Sequence, residues 1–386
     1  PSFAKPITQP NLTWNKSDQL NIGTDIYLFK NRINISADFY RKQTKNPILT
    51  FPFPSYTGYS QVSYNVPLKI LNEGIDLQIQ TRNLSPESKL QWTTNLNVSY
   101  NKNRLAALPD GNKSFYMDSR GYNQSLYFTV GGPVYGWAQM LYQGVYNNTG
   151  QIPVNPLTGK YITYFKGGVP VKPGFPIWKD VNGDYDVWSD EDKGAADGDL
   201  RPSGDPNPKF TGGIYNEFNY KNWSLSVLGT FTLGRDIINN LKANQYANVF
   251  NYGNLAENYA GQRLPDLSGV DYWTPQKATN PNYSAGFPAL NPFGSNYYQF
   301  LPFSTLWNES GDYFKIKTIT LGYTFKGNWL NKAKIRSARV YGIMDNIYNF
   351  QSATVPDAEL VTPQGEYTGG AYPIPKKYTF GLEITF

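Results

Sequence analysis

The 386-residue chain contains no cysteine and no histidine. Disulfides, thiol chemistry and imidazole metal sites are therefore excluded, as is any nucleophile activated by a histidine base. Most hydrolase mechanisms go with them. There is no run of about 18 or more apolar residues, so no helix of this chain can span a membrane. A β-barrel stays open at a mean hydropathy of −0.51, because only every second residue of a membrane strand must be apolar. The formal net charge of +6 has no basic run behind it. Nucleic acid is not indicated, and the charge by itself names no partner. The opening PSFAKPITQP has no initiator Met, no charged leader and no apolar leader segment. For an exported protein, this raises the expectation of a fragment of a longer chain.

What is present is β-pattern, with aromatics at 16% and 31 tyrosines. Tyr and Trp suit membrane-interface girdles and also sugar-stacking surfaces. In the last stretch, Lys376–Phe386, the residues Tyr378, Phe380, Leu382, Ile384 and Phe386 fall on one face. Lys377, Thr379, Gly381, Glu383 and Thr385 fall on the other. That is the period of a strand. Its apolar face would meet a second sheet in a soluble sandwich and lipid in an outer-membrane barrel. The same alternation recurs at Leu20–Leu28, Ile33–Phe39, Ile75–Ile79, Leu90–Tyr100 and Trp223–Leu233, and at Ile319–Phe325. Further strands are expected at 122–131, 134–147, 209–220 and 334–348. The strand that holds Ile319–Phe325 is expected to span about 304–325, and a short helix is expected near Ile237–Asn248. Long strands alternate with short turns (Lys30-Asn31, Ser85–Glu87, Lys221-Asn222) and long loops (148–206, 238–303). Short periplasmic turns and long extracellular loops are the habit of outer-membrane barrels, whereas sandwich strands are shorter and lack this asymmetry.

The expectation is an all-β, antiparallel transmembrane β-barrel of about eleven strands. Counting back from a closing strand that ends in the periplasm, eleven strands keep every short turn on one side, and ten do not. Bacterial single-chain barrels have an even number of strands. Residues 1–386 are therefore expected to form the C-terminal part of one larger barrel domain. Ile22, Ile35, Leu77, Leu225, Leu321 and Leu382 should face lipid, and Asn34, Gln78, Ser226, Thr320 and Glu383 the lumen.

Six segments then carry a family resemblance. They are Gln9–Leu49, Leu71–Asn83, Lys179–Asp192 (KDVNGDYDVWSDED), Gly204–Phe231, Asp312–Phe325 and Tyr372–Phe386 (YPIPKKYTFGLEITF). In their motifs and their order they resemble the SusC-like, or RagA-like, TonB-dependent transporters of the bacterial outer membrane. The resemblance implies the C-terminal half of a barrel of about 22 strands, with a plug and the first strands absent from this chain. It implies import of glycans or peptides, a SusD-like surface lipoprotein as partner, and energy from the TonB complex through the plug. It also implies recognition of the closing strand by the outer-membrane assembly machinery. A passive porin or structural barrel subunit, and a soluble or surface-anchored glycan-binding β-protein, are the alternatives.

One motif carries chemistry of its own. Asp180, Asn182, Asp184, the Asp186 carbonyl and Glu191 occupy positions 1, 3, 5, 7 and 12 of a Ca²⁺-loop pattern. Tyr185 stands where that pattern has Gly, and a positive φ is costly for Tyr. The alternative is a solvated acidic loop. Trp137, Trp188, Trp273 and Trp307 could stack on sugars at the mouth, or serve only in loop packing. Asp110, Asp118 and Asp312 form no pair with the spacing a glycosidase needs, so no enzyme is expected. The sequons at Asn11 and Asn97 carry no meaning in this setting.

Overall fold

A computed structural model describes residues 11–52, 61–117, 126–164, 167–188, 198–243, 268–289, 304–332 and 334–386. Nine long strands make one sheet. They are β1 (Lys16–Leu28), β2 (Ile33–Lys45), β3 (Lys69–Arg82), β4 (Leu90–Ala107) and β5 (Phe210–Tyr220). The others are β6 (Trp223–Leu233), β7 (Tyr313–Phe325), β8 (Ser337–Gln351) and β9 (Lys377–Thr385). Each pairs antiparallel with the next in sequence, an up-and-down meander.

The register joins like with like. One row across the sheet reads Ile26, Ile35, Ile79, Leu96, Ile214, Gly229, Ile316, Tyr348. The next row reads Ser36, Gln78, Asn97, Gly213, Thr230, Lys315, Asn349. A slip of one residue in any strand would exchange the two faces, so the pattern and the pairing enforce each other. Among the described residues nothing covers the apolar face: Ile22 is 61% and Leu382 63% exposed. Aromatic pairs bound it at both ends, Trp92–Phe218 and Trp223–Tyr323 near the short turns, Tyr100–Phe210 and Phe314–Phe350 near the long loops. Trp92 and Tyr100 lie eight residues apart on β4. That is about 27 Å along the strand, close to the ~25 Å apolar band of a membrane barrel.

Two of the eleven expected strands are not in this sheet. Residues 122–131 and 134–147 belong to the connection between β4 and β5, as far as they are described. There, Leu126–Thr129, Trp137–Gln139 and Tyr142–Val145 are short strands of small separate sheets. Trp137, Ala138, Gln139 and Met140 are consecutive and all at most 1% exposed. Burial of every residue in a row marks a core enclosed on both sides, not a wall with lipid on one. Losing two strands together leaves the parity intact, so all four short turns still share one end and the long loops the other. The stretch 304–312 likewise belongs to a loop, and β7 begins at Tyr313. The helix expected near Ile237–Asn248 begins at Asn240, and residues 240–243 are helical, whereas Ile237 and Ile238 before it are extended and paired with Asn308–Ser310. Residues 244–248 lie outside the described set. The first hairpin turn is longer than two residues: Phe29, Lys30 and Asn31 all have positive φ.

The long connections fold on one another. Trp137, Tyr164, Phe175 and Trp178 from the β4–β5 connection enclose Ile238 and Trp307 from the β6–β7 connection. Trp137 is held between two glycines with φ of 64° and 80°, Gly204 and Gly365; a Cβ on Gly204 would meet its ring at 2.1 Å. Its Nε1 donates to the Gln364 carbonyl at 2.9 Å. One indole thus ties together three separate stretches of chain.

Candidate transport path and its mouth

The polar face of the sheet holds a recess of about 640 Å³ at its loop end, lined by Gln19, Asn21, Asp38, Lys42, Asn72 and Asp76 among others. Asp38 and Asp76 are cross-strand neighbours on β2 and β3, an arrangement that costs stability unless something offsets the like charges. Ser99 donates to Asp76, and the Tyr40 hydroxyl donates to Asn101 at 3.0 Å. A wall of hydroxyls, amides and a few charges offers exchangeable hydrogen bonds to a polar solute.

Further along the sheet, the loop between β8 and β9 turns back onto the polar face of β7 and β8. Lys315, only 2% exposed, reaches Asp357 at 2.6 Å and Glu359 at 2.8 Å. Lys317 also reaches Glu359 at 2.8 Å. The β-bulge at Lys317 interrupts the register with β6 and β8, so Lys315, Lys317 and Thr318 all serve the inner side. Burial alone would raise the Glu359 carboxyl, but hydrogen bonds from the two lysines outweigh it and hold it below its ordinary value. Gln351 closes the same loop, donating to the Ala353 and Val355 carbonyls and accepting from the Ala358 N–H. Sequence reasoning missed this latch. Lys315 and Asp357 are 42 residues apart, and no local pattern links them.

Of the Ca²⁺-loop residues, the fold brings Asp180, Asn182, Asp184 and Asp186 into one turn; Glu191 lies outside the described residues. Asp180 accepts the N–H groups of Gly183 and Tyr185 at 2.7 and 2.9 Å. Asn182 accepts from Asp184 N–H, and Asp184 from Asp186 N–H. Asp186 accepts from the Thr163 hydroxyl and Gly167 N–H. Tyr185 does adopt positive φ, 65°, held there by its bond to Asp180. Among the described residues, no group of three or more carboxylates lies close enough to hold a metal ion. The hub of the turn is Asp199, which no sequence pattern indicated. It is fully buried and accepts from Val181 N–H at 2.7 Å and Trp188 N–H at 2.9 Å, closing the loop at both ends. Burial pushes its carboxyl up, opposed by those two N–H donors and reinforced by Asp180 and Asp184.

The four stacking candidates separate. Trp137 and Trp307 are core residues, 0% and 1% exposed, and offer no face to a sugar. Large rings are what the loop interior needs to exclude water. Trp188 and Trp273 are half-buried. A second half-buried ring cluster lies elsewhere: Lys277 Nζ lies 4.9 Å from the Tyr272 ring and 5.8 Å from Tyr283, and bonds Asp271 at 3.0 Å. Asp110 sits exposed in a turn, Asp312 caps Gly234 N–H at 2.6 Å, and Asp118 lies outside the described residues.

A family model described as "TonB dependent receptor-like, beta-barrel" matches residues 1–216, more than half of the chain. The chain belongs to this family. TonB-dependent receptor P3 of Formosa agariphila is 27% identical over 391 residues, covering 97% of this chain and 34% of that protein. TonB-dependent receptor SusC of Bacteroides thetaiotaomicron is 22% identical over 387 residues, covering 97% and 32%. Among solved structures, the RagAB peptide transporter superposes with a TM-score of 0.72 at 21% identity, over 98% of this chain and 36% of that one. The chain spans about a third of the length of these relatives. TonB-dependent receptors are outer-membrane β-barrels that transport and do not catalyse. The apolar face of β1–β9 is accordingly the lipid-facing wall, and the polar face lines the lumen.

Proposed function

We propose that this chain is the C-terminal part of the barrel domain, and the folded mouth, of a TonB-dependent importer of oligomeric nutrients, glycans or peptides. The observation behind this reading is the pairing of a polar lumen wall with long connections that fold into a structured mouth above it. A passive pore would need only the wall. In this reading a plug fills the lumen and couples to the TonB complex, and a SusD-like lipoprotein covers the mouth and delivers substrate. A Ca²⁺ ion in the turn 180–191 belongs to the same proposal, with Asp180, Asn182, Asp184, the Asp186 carbonyl and Glu191 as ligands. Chelation that leaves thermal melting unchanged would remove the ion. The transport reading is tested by uptake of labelled oligosaccharides and oligopeptides into cells carrying the complete receptor. Uptake should stop when the proton-motive force is collapsed; uptake that persists would indicate a passive porin.

A further inference from the structure

The net charge of +6 is not spread evenly in space. The connection 326–336 carries Lys326, Lys332, Lys334 and Arg336 with no acid, and the turn 29–32 adds Lys30 and Arg32. The other two short turns, with the strand end that meets one of them, add three more bases, and Glu87 is the one acid in the set. Nine bases less one acid place +8 on these four turns, against +6 for the whole chain. Everything else is therefore net −2. None of the nine bases makes an ion pair with a described carboxylate.

All four turns lie at the same end of the sheet, which in an outer-membrane barrel is the periplasmic end. Large rings share that level and point outward: Phe29, Trp223, Phe325 and Trp329 are all exposed. Phe325 and Trp329 meet edge to face, and Lys221 lies 5.4 Å from the Tyr220 ring. Rings of this kind settle at the headgroup level of a bilayer, where long basic side chains extend to reach phosphate. Unpaired bases in that layer attract anionic lipid over a distance set by ionic screening.

We propose that this rim is a binding surface for anionic phospholipid headgroups of the periplasmic leaflet. The bases choose the sign of the headgroup, and the rings fix the depth at which it is met. A soluble acidic partner would suit the charge but not the outward-facing rings, which water would leave uncovered.

The test uses the complete receptor in nanodiscs of mixed phosphatidylcholine and phosphatidylglycerol, with the retained lipid shell analysed after detergent extraction. The wild type should enrich phosphatidylglycerol. Enrichment should fall as added salt shortens the Debye length from about 10 to about 3 Å. Replacing Lys326, Lys332, Lys334 and Arg336 by Gln together should lower it by about fivefold or more. Replacing Lys113, Lys160 and Lys179 of the outer loops by Gln should leave it unchanged. The salt series on wild type stands even if the quadruple variant does not assemble. No lipid preference, salt-insensitive enrichment, or equal loss in both variants overturns the proposal. So does a rim variant that keeps its lipid but loses binding to a periplasmic macromolecule.

Discussion

Phe380 on β9 is 86% exposed and Trp137 in the loop assembly is 0% exposed, yet each is a large apolar ring suited to its place. The sheet and the loops obey opposite rules because their solvents differ. Against lipid, an apolar side chain gains by facing outward, and the backbone must satisfy itself within the sheet. Against water, it gains by being enclosed, at about 25 cal/mol per Å² removed from solvent. The sheet is therefore a wall one residue thick, with a period of two. The loops make a conventional core in which consecutive residues can all be interior.

This contrast can be broken at its strongest point first. Trp137→Ala removes the ring that joins three stretches of chain and should cost the loop assembly about 3–5 kcal/mol. Limited proteolysis should then cut the loops readily while the barrel keeps its heat-modifiable mobility on gels. Loss of the barrel as well would show that the two regions fold as one unit. Next comes the wall. Ile35→Arg places a charge in lipid and should cost roughly 2–4 kcal/mol, whereas Asn34→Arg, one residue away on the lumen face, should cost well under about 1 kcal/mol. Equal refolding midpoints for the two variants would contradict the assignment of faces.

The latch where the regions meet is weaker. Lys315→Met leaves Asp357 and Glu359 with fewer partners and should loosen the β8–β9 loop by about 2–3 kcal/mol, read as faster amide exchange over 352–361. Unchanged exchange would mean that Gln351 alone holds the loop. The smallest effect is pH-dependent. Glu366 is buried where Glu366-Tyr367 pairs with Ile238-Asn239, and burial pushes its carboxyl from 4.5 to about 7. The folded loop therefore keeps a proton that an unfolded one has lost between those values. Stability falls as pH rises from about 4.5 to about 7, and is level beyond. At about 1.4 kcal/mol per unit, roughly 3.5 kcal/mol is the upper bound, and about 1 kcal/mol is expected after relaxation. Amide exchange at Ile238 and Tyr367 should follow that window and become level with pH in Glu366→Gln.

Much of the wall was legible from residues alone. The strands with clean alternation, such as Ile33–Phe39 and Trp223–Leu233, appear where the pattern put them, with the expected residues on each face. The segments that misled, 122–131 and 134–147, have high β-propensity but no sustained alternation. Propensity reports that a segment is extended, and only alternation reports which solvent it meets. In the acidic turn, the clustering of Asp180, Asn182, Asp184 and Asp186 could be read from their spacing. The buried role of Asp199, the latch of Lys315 with Asp357 and Glu359, and the interior placement of Trp137 and Trp307 could not.

By itself, then, the sequence determined that the chain makes a two-faced antiparallel wall, where its strands run and which side chains face lipid. Those properties are local, because a period of two is written into each strand and the register follows by matching like rows. Only the tertiary structure decided that 126–145 belongs to the mouth, that the β4–β5 and β6–β7 connections share one core, and that the basic side chains gather at one rim. Each of these depends on residues tens to hundreds of positions apart, brought together by how the strands return to the same end of the sheet.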